Sequence, residues 1–110
     1  MAVTIIGEND LVSVVTTEHS LLSTALSGVF ALDVDLGAMQ AGDTVEIRVK
    51  KKVRTGGTKR VVYKETYVDA QVEPDTIVSS VPVPGNVEVE FTLKQTAGSA
   101  RTYPWKVYGL

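Results

Sequence analysis

Apolar and polar residues alternate with a period of two in several segments of the chain. The alternation is clearest in residues 44–54, where apolar side chains share one face and charged side chains occupy the other. Residues 29–36 and 87–94 show the same pattern. A period of two is typical of a β-strand with one face in a core and the other in solvent. Further strands are predicted over residues 11–17, 59–69, 76–83 and 103–108.

Two segments depart from this alternation. Residues 18–27 place leucines on one helical face but fill the remaining positions with Ser and Thr, so we expect a loop with a single helical turn. Lys51 lies on the apolar parity of residues 44–54. Its position predicts either a bulge or a departure of the strand from the core.

Turn-forming residues separate the predicted strands at intervals of about ten residues, a spacing typical of sandwiches and barrels. Gly56 and Gly57 predict a hairpin, because glycine readily adopts the positive φ that tight turns require. The chain is therefore predicted to be all-β, a single antiparallel β-sandwich over residues 1–110, with a jelly-roll or Greek-key-like topology. Residues 1–10 are expected to form an extended N-terminal arm.

Composition excludes several classes of function. The 110 residues include 11 Lys and Arg against 13 Asp and Glu, and a net charge of −2 gives no support for nucleic-acid binding. The absence of cysteine excludes a disulfide scaffold, a thiol nucleophile and a cysteine-bound zinc. A single histidine excludes a site with several histidine ligands. We expect no cofactor and no metal.

The N-terminal sequence lacks a basic start followed by an apolar stretch, so no signal peptide is expected. No apolar run approaches the roughly 18 residues that span a bilayer. We therefore expect no membrane association, and a protein that is made in a cytosol and stays intracellular or enters an assembly.

Few residues are candidates for catalysis. His19 is the single histidine, and nucleophilic or general-base chemistry would need a partner side chain held beside it. Its chain neighbours Glu18 and Ser20 are poorly placed for this, because adjacent residues rarely form a triad. We interpret His19 as an ordinary loop histidine and expect no catalytic residues and no enzyme.

Asp33, Asp35 and Asp43 are the candidates for a cation site, since carboxylate oxygens are the ligands that Ca²⁺ prefers. Their spacing matches no calcium-binding loop, and two of them lie on a predicted strand. A solvated acidic face is the favoured interpretation.

Cations are concentrated on the predicted hairpin. Three hypotheses remain open: a solvated face whose lysines protect a sheet edge, an electrostatic contact with an acidic partner, and nucleic-acid binding. Glu46 and Glu65 are candidate cross-strand partners. Lys51 lies within the same run. The residues predicted to contact a partner are Arg48, Lys50, Lys52, Arg54, Lys59 and Arg60.

Aromatic residues suggest either core packing or an interface. Tyr103, Trp105 and Tyr108 lie near the C-terminus, and the single Trp is expected in the core. Tyr63 and Tyr67 share a parity and are expected to be the more exposed pair. A carbohydrate-binding module would need Tyr63, Tyr67 and Trp105 to converge on one exposed face.

Several segments together resemble a group of small structural proteins of tailed bacteriophages. The most specific of them are residues 41–49, AGDTVEIRV, and residues 92–105, TLKQTAGSARTYPW. Shorter similar segments are TEHSL, GVF, DLGAM and GGTKRVVY, so the resemblance runs from Thr17 to the end of the chain.

The resemblance implies a virion protein and no reaction. A small β-sandwich of this group is expected to be a capsid cement or decoration protein that bridges capsid subunits and stabilises the phage head. The alternatives are a tail or head-tail connector component, or a carbohydrate-binding β-sandwich. The implied partners are the major capsid protein or another virion protein, with a homodimer or homotrimer as the oligomeric state. The implied location is the virion, after synthesis in the host cytoplasm.

Overall fold

The computed structural model describes residues 3–110 as nine β-strands joined by turns. The strands are β1 (Thr4–Val12), β2 (Glu18–Thr24), β3 (Gly28–Asp35), β4 (Thr44–Lys52), β5 (Arg60–Val68), β6 (Ile77–Ser79), β7 (Val83–Gly85), β8 (Glu88–Ala97) and β9 (Thr102–Gly109). The first sheet has the order β1-β9-β3-β6, and β7 also pairs with β3. The second sheet has the order β2-β8-β4-β5. All pairings are antiparallel, which confirms the prediction of an all-β sandwich.

The core lies between the two sheets and is built from the alternating apolar residues. Each fully buried aliphatic or aromatic side chain contributes about 1.5–3 kcal/mol to folding. Met39 closes the core from the connection between β3 and β4. The strand residues of the core are Phe30, Leu32, Val34, Val45, Ile47, Val49, Val83, Val89, Phe91, Leu93, Tyr103 and Val107.

Residues 18–24 correct one prediction. They form β2, an edge strand paired with β8, and not a loop with a helical turn. The pairing register shifts between Ser20 and Leu22, so that Leu21 and Leu22 both pack against the core. A bulge of this kind breaks the period of two, which is why the strand is not visible as an alternation in the sequence.

The N-terminal region also differs from its prediction. Residues 4–12 pair along β9 as β1, whereas the sequence placed an arm over 1–10 and a strand over 11–17. Residues 1 and 2 lie outside the described part of the chain. Residues 13–17 form a turn, not a strand, in which the Thr17 N–H donates to the Val14 carbonyl at 3.0 Å.

The β4–β5 hairpin agrees with its prediction. The pairing register shifts between Val49 and Lys50, so of the two alternatives predicted at Lys51 the structure shows the bulge. Gly56 has a φ of +77°, and the Gly57 N–H donates to the Arg54 carbonyl at 2.9 Å. The predicted strand over 76–83 is instead two short strands, β6 and β7, that pair with different parts of β3.

Candidate functional site

The predicted partner-contact cations divide into two groups in the structure. The first group projects from the outer face of the second sheet and forms ion pairs there. Lys50 lies 2.9 Å from Glu18, and Lys52 lies 3.3 Å from Glu88. Arg48 pairs with the adjacent Glu46 at 2.8 Å. This arrangement follows from the register, which places Lys52 of β4 directly opposite Glu88 of β8.

Lys59 belongs to the same paired group. It lies 2.8 Å from Glu88 and 2.9 Å from Glu90. Hydrogen bonds to Glu88 and then to Glu90 raise the pKa of Lys59. The hydrogen bond from Lys59, followed by those from Ser23 and Lys52, lowers the pKa of Glu88 to about 2. The charges of these cations are therefore neutralised by carboxylates of the same protein, which agrees with the hypothesis of a solvated face.

The second group consists of Arg54 and Arg60. Within residues 3–110, neither guanidinium lies within salt-bridge distance of a carboxylate. Three exposed valines surround them: Val53, which is 86% exposed, together with Val61 and Val62. These five residues line an open depression of about 400 Å³ at the hairpin end, and we call them the hairpin contact site.

The hairpin contact site is fixed to both sheets. The ammonium group of Lys51 donates to the Pro84 carbonyl in β7, so the base of the hairpin is joined to the first sheet. The valines of this site were not predicted as functional. A signal was present for Val62, because its parity is opposite to that of Tyr63 and Tyr67 and only one parity can face the core.

A second depression lies on the outer face of the first sheet. Its volume is about 260 Å³. Its lining includes the side chains of Ile77 and Pro104 together with Trp105, whose ring packs inward. Asp33 and Asp35 lie at its rim, and we call these five residues the Ile77 groove.

The Ile77 groove carries uncompensated negative charge. Asp33 accepts a hydrogen bond from the Ser79 hydroxyl, and Asp35 accepts one from the Gly37 N–H at 2.8 Å. These donors are neutral, and no cation in residues 3–110 pairs with either carboxylate. Nearby, Lys106 lies 3.6 Å from Glu8, so that pair is already neutral.

Asp43 does not belong to this acidic face, which corrects the prediction of a solvated position. It is only 1% exposed and accepts hydrogen bonds from the Gln40 N–H at 2.9 Å, the Ser99 N–H at 3.2 Å and Arg101 Nε at 2.9 Å. Burial opposes its ionisation, but the Arg101 hydrogen bond and the two backbone donors outweigh this and hold its pKa below the ordinary value. Asp43 is a structural carboxylate.

The acidic residues do not assemble a cation site in the described part of the chain. Asp43 is buried under the turn before β9, whereas Asp33 and Asp35 face outward from β3. No group of three or more candidate metal ligands occurs among residues 3–110.

His19 lies on β2 and not in a loop, so its predicted location is wrong. It is paired with Leu93 of β8. Its Nε2 atom accepts a hydrogen bond from the Val14 N–H at 3.0 Å. The lone pair that a general base would use is therefore occupied by the backbone, and His19 orders the turn between β1 and β2.

Three of the aromatic residues, Tyr63, Tyr67 and Trp105, point inward. Tyr63 and Tyr67 lie opposite Val49 and Val45 of β4 and pack against the core, so the expectation that they form an exposed pair is wrong. Burial raises the pKa of Tyr67 to about 12. Trp105 packs against the core from the opposite sheet. The three rings do not form a stacking platform.

A buried polar network closes one end of the sandwich. The Gln95 Oε1 atom accepts from the Ser13 hydroxyl at 2.6 Å and from the Tyr103 hydroxyl at 3.0 Å. The Gln95 amide donates to the carbonyls of Ala97 and Ser99 at 3.1 and 2.6 Å. Among the described residues, no buried side-chain polar atom lacks a hydrogen-bond partner. The network is thus a satisfied structural element.

No protein family model, no curated protein and no solved structure matches the chain. The resemblance to phage structural proteins therefore stays a prediction. Within residues 3–110, no helix has the length and apolar character needed to cross a bilayer. Function has to be argued from the hairpin contact site and the Ile77 groove.

Proposed function

We propose that this chain is a non-enzymatic structural protein of a tailed-phage particle, where it acts as a capsid cement or decoration protein. The observation that carries the proposal is the hairpin contact site, in which exposed valines lie beside two arginines that have no carboxylate partner among residues 3–110. The resemblance of residues 17–110 to small phage structural proteins is the reason for proposing that the protein belongs to a phage particle.

The composition of the hairpin contact site fits a protein interface. Val53, Val61 and Val62 expose apolar surface to water. A partner that covered this surface would contribute about 25 cal/mol of favourable free energy per Å² buried. Arginine is enriched at interfaces because its planar guanidinium binds a carboxylate with two parallel hydrogen bonds. The partner is therefore a protein surface with an apolar centre and an acidic rim, on the major capsid protein or another virion protein.

The scaffold suits a bridging role because it holds this surface rigidly. Strands β4 and β5 pair over most of their length, and Lys51 joins the hairpin base to the first sheet. A rigid surface loses little conformational entropy on binding, which favours tight attachment. A carbohydrate-binding role is less well supported, since Tyr63, Tyr67 and Trp105 pack inward.

Quantitative mass spectrometry of purified particles of the encoding phage tests this proposal. A copy number comparable to that of the major capsid protein is the expected result. A few copies per particle would instead identify a tail or connector component. Absence of the chain from the particles would overturn the structural role.

A further inference from the structure

We infer that the hairpin contact site of one copy docks into the Ile77 groove of a second copy of this chain. The inference rests on the proposed function, because both assign the hairpin as an assembly surface. It adds that the partner is a second copy of this chain. A shell-covering protein would then contact its own neighbours through two different surfaces.

The two surfaces are complementary in polarity. The hairpin contact site has three exposed valines at its centre and two arginines beside them. The Ile77 groove has an apolar floor, in which Ile77 is 64% exposed, and two aspartates at its rim. Apolar surface would meet apolar surface while guanidinium groups meet carboxylates, which is the arrangement found at stable protein interfaces.

The charges that would pair across the contact are free to do so. Within the described residues 3–110, Asp33 and Asp35 accept hydrogen bonds only from neutral donors, and Arg54 donates only to the Thr55 carbonyl at 3.4 Å. Pairing these groups breaks no existing ion pair. The cations of β4 differ, because Lys50 would have to leave Glu18 before it could bind a partner.

The contact has to form between two molecules. Gly28, the first residue of β3, lines the same cleft as Val53 at the base of the hairpin. Asp35, the last residue of β3, lies at the Ile77 groove. A strand rises about 3.3 Å per residue, so these two positions are roughly 23 Å apart. The hairpin and the groove therefore lie at opposite ends of β3, and the hairpin does not reach its own groove.

Sedimentation velocity of the purified full chain tests the inference. The wild-type chain is expected to associate as its concentration rises from about 1 to about 300 µM, and less so as salt rises from about 0.05 to about 0.5 M. Arg54→Glu with Arg60→Glu, and separately Asp33→Lys with Asp35→Lys, are each expected to be monomeric. An equimolar mixture of these two variants is expected to associate again, because the unchanged basic hairpin of one meets the unchanged groove of the other.

Single variants keep the test valid if the groove variant folds poorly. Ile77→Ser changes an exposed side chain and is expected to weaken association at least about tenfold. Val72→Ser is the matched control, since Val72 is 69% exposed and lies on neither surface. Lys64→Glu controls for net charge and is expected to associate as the wild type does.

The outcomes separate this inference from the proposed function. A wild-type chain that stays monomeric, or an association that the arginine and Ile77 variants leave unchanged, overturns the docking of two copies. High copy number in particles would leave the structural role standing in that case. Association that depends on both surfaces, with no copies in particles, would support the docking and overturn the structural role instead.

Discussion

Gly98 lies directly over the carboxylate of Asp43, so that a Cβ atom at position 98 would be 1.9 Å from Asp43 Oδ1. The same turn places the Ser99 N–H and the Arg101 guanidinium in hydrogen-bond contact with Asp43. The connection from β8 in the second sheet to β9 in the first is thereby attached to Asp43, the residue immediately before β4. This contact stabilises the end of the sandwich opposite the β4–β5 hairpin.

Replacing Gly98 with alanine is expected to lower the free energy of unfolding by more than about 2 kcal/mol. The new Cβ would meet a buried carboxylate, and φ at this position is +95°. Gly42→Ala is the matched control, because Gly42 has a φ of +90° but no atom within 4 Å of the added Cβ. The free energy of unfolding of Gly42→Ala should fall by about 1 kcal/mol, from backbone strain alone. Urea unfolding measures both, and equal losses would contradict the close approach of Gly98 to Asp43.

Asp43→Asn is expected to lower stability at pH 7 by about 2 kcal/mol, since it removes the charge that Arg101 and two backbone N–H groups bind. The folded-state pKa of Asp43 is lowered, so its contribution is fully present above the unfolded-state pKa and is lost as pH falls through the folded-state pKa. The variant should therefore lose less stability than the wild type as pH falls below about 4.

The control for this titration is Asp75→Asn, which changes an exposed carboxylate. It should leave the stability at pH 7 at the wild-type value. Parallel acid slopes for the wild type and Asp43→Asn would show that the Asp43 carboxylate does not supply the pH dependence.

Thr16→Gly is expected to raise the free energy of unfolding by about 1 kcal/mol. Thr16 has a φ of +72°, where a β-branched side chain is strained, and it occupies the third position of a turn closed by Thr17 and Val14. Thr17→Gly should instead lower the free energy of unfolding. Thr17 is not in the left-handed region, so glycine relieves no strain there and only raises the conformational entropy of the unfolded chain. A thermal melt distinguishes the two, and a lower midpoint for Thr16→Gly would contradict the assigned turn.

Tyr103→Phe is expected to reduce stability by about 1 kcal/mol, because the variant removes one of the two donors to the buried Gln95 Oε1 atom. Tyr108→Phe is the matched control on the same strand. Its hydroxyl contacts Asp33 at 3.5 Å in a partly buried position, so the expected loss is a few tenths of a kcal/mol. Chemical denaturation of both variants checks the difference, and the opposite order of losses would refute a structural role for the network.

The sequence was sufficient where strand alternation and core packing agree. Apart from Lys51, residues 44–54 alternate because one face of β4 packs on the core while the other carries charged residues, and so this strand was predicted. The bulged strand β2 was missed because its register shift places Leu21 and Leu22 on the core together. A pattern search detects regular strands and misses those whose packing depends on a bulge.

The candidate site could be predicted only in part. The cations of the hairpin are visible in the sequence, but the acids that neutralise Lys52 and Lys59 lie on β8, and their pairing requires the strand register. Without the strand register, Arg54 and Arg60 could not be distinguished from the cations that form ion pairs. Asp43 was misplaced for a similar reason, because its partner Arg101 is 58 positions away in the chain.

The most direct test of the central claim is the number of copies retained on purified phage particles by hairpin variants. Arg60→Glu and Lys64→Glu make the same charge change on the same strand, but only Arg60 belongs to the hairpin contact site. Lys64→Glu is expected to be retained at the wild-type copy number, and Arg60→Glu to be reduced at least about tenfold. Equal retention of both variants, or particles that carry no copies of the wild-type chain, would contradict the account.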